Sequence, residues 1–343
     1  MKRELVADSI ETRGGKIPIV STVLNRMDKW EAFKVRCTIG RMRYTVEPGL
    51  YAVGNPDQES IVLVSANYKL SFNVLRSSLQ RIDAWIMVLD TKGINVWCAA
   101  GKGTFGTDEI VNRIDQTRLK EITVHCKLIV PQLGAPGVAA HEVKKRSGFT
   151  VIYGPVRAAD IPSFLENGMV ATSEMRKVNF SLRDRLVLVP VEFVTGLKHL
   201  ALASAVFFLI AGLHKGGYST GVALTEGSRS TLILFLAFLA GTIMVPMLLP
   251  WLPGRSFSLK GLFSGLALFI ILYVSGIMEL SNIELFAWIL IVSAISSFTA
   301  MNFTGASTYT SLSGVKKEMR IAVPLQITAA VTGVTLWIIE RFV

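Results

Sequence analysis

The chain has 343 residues, of which 51% are hydrophobic and 18% charged, and a mean hydropathy of +0.47 that is too apolar for an ordinary soluble protein. This composition excludes disordered, collagen-like and disulfide-scaffold proteins. Residues 1–192 hold 27 of the 36 Lys and Arg and 20 of the 25 Asp and Glu, so the two parts are expected to occupy different solvents. The net charge of +11 includes no basic stripe with interleaved aromatic residues, so no nucleic-acid partner is expected.

Three segments are predicted in chain order: an N-terminal extension packed on the soluble domain (residues 1–60), an α/β domain (61–192) and a transmembrane domain (193–343). In the extension, residues 41–46 and 50–53 suggest a hairpin about Pro48 and Gly49. Residues 1–15 are charged and contain no apolar run, which speaks against a secretory signal peptide. We therefore expect the first domain to stay in the cytoplasm.

Short apolar runs alternate with helical patterns from residue 60 to residue 190. Strands are predicted at residues 61–64, 85–89, 94–97, 122–130, 149–153 and 186–189. Helices are predicted at residues 71–81, 107–118, 138–146 and 160–167, the second with Thr107 as N-cap and Asp108 and Glu109 in its first turn. This alternation predicts a Rossmann-like α/β domain with a parallel, doubly wound sheet.

The second half predicts an all-α transmembrane domain of five helices. The spans are residues 193–213, 231–252, 261–278, 285–303 and 321–339, the second bent and then ended by Pro246, Pro250 and Pro253. With the first domain inside, eight basic residues fall on the inner side and three on the outer side, in accord with the positive-inside rule. The expected location is the cytoplasmic (inner) membrane, multi-pass, in contact with membrane lipid and with the C-terminus outside.

The predicted spans carry no charged residue near their middle, which argues against a pump or ion-coupled transporter. The fourth span has a stripe of small polar residues, for which helix packing is expected rather than a transport path. The stripe comprises Ser293, Ser296, Ser297, Thr299, Asn302 and Thr304.

Small residues and glycines follow the predicted strands, at the sheet edge where α/β proteins bind ligands. They let the backbone approach a large flat ligand, so their clustering predicts a cofactor site. Crevice position alone makes seven residues candidate contacts, namely Ser65, Asn67, Thr104, Gly134, Gly137, Gly154 and Arg157.

Gly101, Gly103 and Gly106 form a literal G-x-G-x-x-G between a predicted strand and a predicted helix. The next strand ends in Val130 and Pro131 without the acidic residue that would hold a ribose, so the dinucleotide-binding fingerprint is incomplete. A membrane-tethered nucleotide-binding module nevertheless stays open as an alternative function.

The three cysteines, Cys37, Cys98 and Cys126, are too few and too widely spaced for an iron–sulfur cluster within this chain. Cys98 stands at the predicted end of an apolar strand and at the entry to a small-residue turn that can form a short helix over residues 99–103. On residue type alone a buried, inert thiol is the more frequent case. Cys37 and Cys126 are interpreted as structural.

Residues 95–102, Asn-Val-Trp-Cys-Ala-Ala-Gly-Lys, resemble the cap-helix motif of the mercury-methylating corrinoid proteins of anaerobic bacteria and archaea. Residues 60–192 also resemble the corrinoid-binding domain of the acetyl-CoA pathway's corrinoid iron–sulfur protein, through residues 131–137 and 153–157. The five predicted spans match the mercury-methylating branch and distinguish it from its soluble relatives.

The resemblance implies a cobalamin-type corrinoid bound base-off, with Cys98 as the lower axial ligand to cobalt and the catalytic residue. A thiolate is a soft, electron-donating ligand, which favours release of the opposite methyl group with its electron pair. The implied activity is a corrinoid-dependent methyltransferase that passes methyl from cobalt to Hg(II). The remaining implied contacts with the cofactor come from the same cap helix, through Asn95, Trp97, Ala99, Ala100, Gly101, Lys102 and Gly103.

The resemblance also implies partners. Cobalt would be re-reduced by a dicluster iron–sulfur ferredoxin, the methyl group would come from a methyl-folate-type donor or its methyltransferase, and Hg(II) thiol complexes would be the acceptor. A corrinoid methyl carrier of one-carbon and acetyl-CoA metabolism is the alternative function with the same cofactor.

Overall fold

The computed structural model describes residues 6–276, 281–306 and 312–343, which divide into two compact units. The first unit, residues 1–35 and 39–178, is a mixed α/β domain. Its strands are β1 (Val6–Thr12), β2 (Gly15–Val20), β3 (Gly49–Val53), β4 (Ile61–Ala66), β5 (Ala84–Leu89), β6 (Lys127–Val130) and β7 (Thr150–Tyr153). Its helices are α1 (Arg26–Arg36), α2 (Lys69–Ser77), α3 (Val96–Lys102), α4 (Thr107–Gln116), α5 (Leu119–Ile122), α6 (Ala140–Ser147) and α7 (Ile161–Glu166).

The seven strands form one sheet in the order β1-β2-β3-β5-β4-β6-β7. Strands β5, β4, β6 and β7 are parallel, as the alternating pattern predicts. Strand β3 is antiparallel to β5, and β1 is antiparallel to β2, so the sheet as a whole is mixed. The first 60 residues thus contribute three strands to the same sheet.

Side chains alternate between the two faces of the sheet, and helices cover both faces. Val62, Val64 and Met87 pack on the face that also buries Ile110 of α4 and Val143 of α6. Leu63, Ile86 and Val88 pack on the opposite face with residues of α2 and α7, such as Phe72 and Phe164. Because central strands are buried on both faces, their carboxyl ends are the part of the sheet that can reach a ligand.

Several predicted elements are wrong. Residues 94–97 form a loop and the start of α3 instead of a strand, and within residues 122–130 only Lys127–Val130 is a strand. Residues 186–189 are the end of α8 (Leu182–Leu186), a two-residue turn and the start of α9 (Val189–Ala211), instead of a strand. Residues 41–46 contain a 3₁₀ turn (Arg41–Arg43) and do not pair with β3, so the expected hairpin is absent from the described residues.

The second unit, residues 36–38 and 179–343, is almost entirely helical. After α8 and α9 come a short pair of strands, β8 (Leu213–His214) and β9 (Gly217–Tyr218). The following helices are α10 (Thr220–Val222), α11 (Ser228–Leu239), α12 (Val245–Leu248), α13 (Phe257–Val274), α14 (Asn282–Asn302) and α15 (Leu312–Glu340). π-Helical turns at Ala223–Gly227 and Ala240–Met244 join α10, α11 and α12 into one continuous helix.

Five helical stretches among the described residues are long and apolar enough to cross a membrane: Leu182–Ala211, Thr220–Leu248, Phe257–Val274, Asn282–Asn302 and Ser313–Glu340. The second ends at Leu248, two residues before Pro250. The end of the third predicted span, at residues 277–278, lies outside the described residues.

Helix α14 is the centre of the second unit, and small residues allow its neighbours to approach closely. A Cβ added to Gly261 of α13 would lie 2.4 Å from the carbonyl oxygen of Ser296. The Ser296 hydroxyl donates to the Gly261 carbonyl at 2.7 Å, and the Ser297 hydroxyl donates to the Ser258 carbonyl at 2.9 Å. The expected packing role is confirmed for these two serines of the stripe.

A network of charged side chains surrounds the buried Glu284. Glu284 accepts hydrogen bonds from Arg229 at 2.8 Å and from Arg341 at 3.0 Å, and Glu226 lies beside both arginines. Two carboxylates balance two guanidinium groups, so α11, α14 and α15 are held together without an uncompensated buried charge.

Candidate functional site

A cleft of 390 Å³ opens at the carboxyl ends of β4, β6 and β7. Its walls are mainly apolar, with Leu70 and Val74 of α2 on one side and Val156 and Ile161 on the other. Four of the sequence-predicted site residues line this cleft, namely Ser65, Asn95, Trp97 and Gly154. An apolar cleft with a few polar groups at a strand edge is the usual form of a small-molecule site.

The loop of residues 90–94 carries the chain from β5 to α3, and Asn67 holds it in place. The Asn67 carboxamide oxygen accepts from the Thr91 amide at 3.1 Å, from the Thr91 hydroxyl at 2.8 Å and from the Gly93 amide at 2.9 Å. Its NH₂ group donates to Asp90 at 3.2 Å. Asn67 is therefore occupied in shaping the loop, which explains its burial without a contact to a ligand.

Asp90 strengthens the same loop. Hydrogen bonds from the Lys92 ammonium and amide groups hold the pKa of the Asp90 carboxyl below its ordinary value, although partial burial opposes this. The same pairing raises the pKa of Lys92. Lys92 has a φ of +57°, and Gly93 a φ of +72°, so the turn is a tight left-handed one that these bonds stabilise.

Helix α3 begins with an N-cap at Asn95, whose side-chain oxygen accepts from the Cys98 amide at 2.9 Å. The helix ends at Gly103, which has a φ of +81°. Cys98 therefore lies in the first turn of a capped helix, and the structure corrects the expected strand end and the expected helix at residues 99–103. The Cys98 thiol is free and exposed.

The two faces of α3 differ sharply. Ala99 and Ala100 are buried against the α4 side of the sheet, whereas Cys98, Gly101 and Lys102 are exposed. Trp97 is 42% exposed although it also lines the cleft. A Cβ added to Gly101 would meet no atom within 4 Å, so nothing in the described chain requires glycine there. Glycine inside a helix is unfavourable relative to alanine, so packing within the described chain does not explain why glycine stands at this position.

The glycines of residues 131–137 have a packing reason. A Cβ on Gly134 would lie 2.4 Å from the Phe105 ring, and one on Gly137 would lie 2.2 Å from the Phe105 carbonyl and 3.1 Å from the Ala100 Cα. These glycines let the 3₁₀ turn Gln132–Gly137 support the buried face of α3. They do not line the cleft, so the structure gives them a supporting position behind the cap helix.

The remaining predicted contacts lie at different distances from the cleft. Gly154 lines it, and a Cβ there would meet Ile129 at 2.9 Å. The Thr104 hydroxyl donates to the Ala99 carbonyl at 3.4 Å and so belongs to the end of α3. Arg157 follows the cleft residue Val156, but it is not part of the lining.

Sequence reasoning missed Gln132, which lies between the cleft residues Pro131 and Leu133. Its side-chain oxygen is buried and has no hydrogen-bond partner among the described residues. A buried acceptor without a donor costs free energy, so such a group is commonly completed by water or by a ligand. The signal available in the sequence was an amide side chain directly after a buried strand.

The three glycines of the G-x-G-x-x-G motif do not form a dinucleotide loop. Gly101 is inside α3, Gly103 ends that helix, and Gly106 precedes α4. The N-cap expected at Thr107 falls on Gly106, and the Thr107 hydroxyl accepts from the Ala139 amide at 2.9 Å. Asp108 and Glu109 occupy the first turn of α4, where they would repel a phosphate.

A family model described as CO dehydrogenase/acetyl-CoA synthase delta subunit matches residues 19–165. Among curated proteins, the gamma subunit of the acetyl-CoA decarbonylase/synthase complex of Methanopyrus kandleri is 32% identical over 123 residues, covering 35% of this chain and 26% of that protein. The corresponding gamma subunits of Methanocaldococcus jannaschii and Methanothermobacter thermautotrophicus are each 28% identical and each cover 48% of this chain.

The chain spans 36% of the length of the second of these relatives and 40% of the third, so only part of each is matched. The matching family model ends at residue 165, before the first of the five long apolar helices. The match to the family model therefore concerns the α/β unit.

These findings overturn two predictions made from residues 95–102. Membership of the mercury-methylating branch is wrong, because the α/β unit matches subunits of the acetyl-CoA decarbonylase/synthase complex. The mercury-methyltransferase activity that followed from that membership is wrong as well, and these relatives give no support for an Hg(II) acceptor. The alternative function, a corrinoid methyl carrier of one-carbon and acetyl-CoA metabolism, agrees better with these relatives.

Proposed function

We propose that the α/β unit carries a corrinoid and serves as a methyl carrier in one-carbon chemistry of the acetyl-CoA type. The observation that carries the proposal is the free, exposed thiol of Cys98 on a capped helix beside an apolar cleft, within the segment that matches the family model. The curated relatives are subunits of a complex named for acetyl-CoA decarbonylation and synthesis, which supports this class of chemistry.

The residues present fit a corrinoid in three respects. The exposed face of α3 has no Cβ at Gly101, which leaves room for a flat macrocycle to approach the helix. Cys98 supplies a soft sulfur donor on the same exposed face. The apolar cleft beside this helix, lined by Ser65 and Trp97, supplies a surface for the edge of a corrin.

When bound, the corrinoid supplies a cobalt centre that accepts and releases a methyl group. The chain supplies ligation and orientation. Cys98 would hold the metal, and Asn95 fixes the turn that presents this thiol. Asn67 and Asp90 fix the loop before it, while Gly134 and Gly137 allow the support behind it.

Other predicted contacts take smaller parts in this proposal. Ser65 and Trp97 line the cleft and would meet the rim of the ligand, and Lys102 extends from the exposed face of α3. Ala99 and Ala100 are buried and act through packing. Gly103, Thr104 and Arg157 stay candidate contacts at the periphery.

The proposal includes partners and a location. A separate low-potential iron–sulfur ferredoxin would reduce the cobalt, and a methyl-folate-type donor or its methyltransferase would supply the methyl group. The five long apolar helices would anchor the protein in the cytoplasmic membrane, with the α/β unit on the cytoplasmic side and the C-terminus outside. Arg183, Arg185 and Arg255 would then lie on the inner side, in accord with the positive-inside rule.

The test is reconstitution of the full chain with hydroxocobalamin under reducing conditions, followed by gel filtration and measurement of retained cobalt. Wild-type protein is expected to retain about one cobalt per chain, as a single site requires. Cys98→Ala should lose most of this retention. Cys126→Ala is the matched control, because Cys126 is also free and exposed, and it should behave as wild type. Equal retention by Cys98→Ala and wild type would overturn the proposed ligation.

A further inference from the structure

The helical unit contains a second cavity, of 930 Å³, between helices α13, α14 and α15. Apolar side chains form most of its wall, among them Leu262, Ala294, Ala322 and Ala329. Leu259 and Leu325 also line it while being 45% and 66% exposed. The cavity is therefore continuous with the apolar outer surface of the unit, which acyl chains would cover in a membrane.

Two polar groups in the cavity wall lack partners. Ser293 and Gln326 are 7% and 8% exposed, and the Ser293 hydroxyl and the Gln326 carboxamide oxygen have no hydrogen-bond partner among the described residues. The Gln326 NH₂ group donates to Ser297 at 2.8 Å, so its oxygen is the free end of the amide. Helix packing alone explains Ser297, which bonds across to α13, but it leaves these two groups unsatisfied.

Charge is concentrated at one end of the same cavity. Arg255 and Lys317 belong to the lining, both are exposed, and neither forms an ion pair among the described residues. Glu318 also lines the cavity, but its carboxylate accepts from the Ser258 amide at 2.6 Å. The lining therefore holds two basic groups and one carboxylate, so the net charge at this end is positive.

We propose that this cavity binds an anionic glycerophospholipid, with the phosphate at Arg255 and Lys317, glycerol and ester oxygens toward Ser293, and acyl chains along Leu259 and Leu325. Arg255 and Lys317 fall on the side that the positive-inside rule assigns to the cytoplasm, where anionic lipids face basic residues. A water that bridges to the ester oxygens would satisfy the Gln326 oxygen. The inference rests on the proposed membrane location and is independent of the corrinoid.

The test uses the full chain, purified in detergent, delipidated and titrated with phosphatidylglycerol or phosphatidylcholine while native mass spectrometry counts bound lipids. Wild type should bind one phosphatidylglycerol at least tenfold more tightly than phosphatidylcholine. The double variant Arg255→Gln and Lys317→Gln should reduce this preference to within about twofold, because each basic group near an anionic headgroup contributes about 1 kcal/mol, or fivefold.

The matched control is the double variant Lys316→Gln and Arg320→Gln. This control also removes two positive charges, both at exposed positions of α15 outside the lining. It should keep the preference for phosphatidylglycerol. Ala322→Phe fills the cavity without changing charge and should abolish binding. Loss of preference in the control to the same degree as in the Arg255 and Lys317 variant would overturn the site, because a general surface effect would then explain it.

A second measurement separates a ligand contact from a structural role. Gln326→Leu removes the unpartnered oxygen, so the delipidated variant should melt at or above the wild-type temperature, while the upward shift in Tm caused by phosphatidylglycerol should shrink. An unchanged lipid-induced shift would contradict the proposed contact. Inorganic phosphate at the same concentration should not displace the lipid, and displacement would assign the site to a free anion instead.

Failure here is distinguishable from failure of the proposed function, since cobalt retention is measured on the same preparations. Lipid preference without cobalt would support this inference and contradict the corrinoid. Cobalt retention without any lipid preference would overturn the lipid site alone.

Discussion

Replacing Gly101 by alanine tests whether a ligand lies against the exposed face of α3. In the chain without cofactor, the added Cβ meets no atom within 4 Å, and Gly101 is not at a positive φ. Alanine should therefore stabilise the helix by about 0.5–1 kcal/mol, through lower backbone entropy in the unfolded state. This corresponds to about two- to fivefold slower opening of the segment.

The same methyl group should weaken cofactor binding. If a macrocycle lies directly on the helix, the methyl group overpacks that contact at a cost of about 1–3 kcal/mol, or roughly 5- to 150-fold in affinity. The substitution is thus expected to raise the stability of α3 and to lower the affinity for the cofactor. Few structural defects do this, because a variant that damages the fold lowers stability and binding together.

The assay has two arms on the same full chain. Hydrogen–deuterium exchange of a peptide covering residues 94–106 reports the opening of α3 without cofactor, and titration with hydroxocobalamin reports affinity. Gly103→Ala is the control, because Gly103 has a φ of +81° and alanine there should speed exchange instead of slowing it. Slower exchange in Gly101→Ala with unchanged cobalamin affinity would refute the close approach.

Three further predictions concern the support of the site and the helical unit. Gly137→Ala should lower the Tm of the α/β unit by about 2–12 °C, because its Cβ would lie 2.2 Å from the Phe105 carbonyl and overpacking costs about 1–3 kcal/mol. Protonation of Asp90 should loosen the loop before α3: its lowered pKa means that its contribution to stability is complete above about pH 4 and is lost as the pH falls through that lowered value. Exchange of residues 90–94, corrected for the intrinsic pH dependence, should show this, and the Lys92 amide should respond most. Glu284→Gln should lower the stability of the helical unit by about 1–3 kcal/mol in thermal melts in detergent, since it leaves two partly buried guanidinium groups with Glu226 as their only carboxylate among the described residues.

Each of these has a direct control. Gly101→Ala makes the same chemical change as Gly137→Ala on the open side of α3 and should not lower the Tm. Asp90→Asn should remove the acid-dependent component of exchange at residues 90–94, and a variant that kept it would show that another group titrates. A wild-type melting temperature for Glu284→Gln would show that the charge network does not hold the helices together.

The parallel part of the sheet was predictable because β4, β5 and β7 are short apolar runs bounded by turn residues. The strands β1 and β2 were missed because polar residues such as Asp8 and Lys16 interrupt their apolar pattern, and pairing with the sheet, not local preference, makes them strands.

The residues before Cys98 show how a local signal was misjudged. Ile94, Val96 and Trp97 suggest a strand by residue type, but Asn95 acts as an N-cap and commits the following residues to a helix. Asp90 and Gly93 indicate a turn, and together with Asn95 they contain the information for the observed loop and helix. The tertiary role of Asn67, which holds this loop from another strand, has no local signature.

The number of long apolar helices in the second unit was easier to predict than their lengths. Five apolar stretches were evident, but their helices extend beyond the apolar core at several ends, as at Leu182–Ala211, where polar residues continue the helix. Pairing among Glu284, Arg229 and Arg341 could not be deduced, because it joins charges from three helices more than 50 residues apart.

The proposed function requires a direct bond from the Cys98 sulfur to a corrin-held cobalt. X-ray absorption at the cobalt edge of the reconstituted full chain measures the atoms bonded to the metal. We expect a sulfur scatterer in wild-type protein and in Cys126→Ala, and its replacement by nitrogen or oxygen in Cys98→Ala. A cobalt environment of nitrogen and oxygen alone in the wild-type protein would contradict the account.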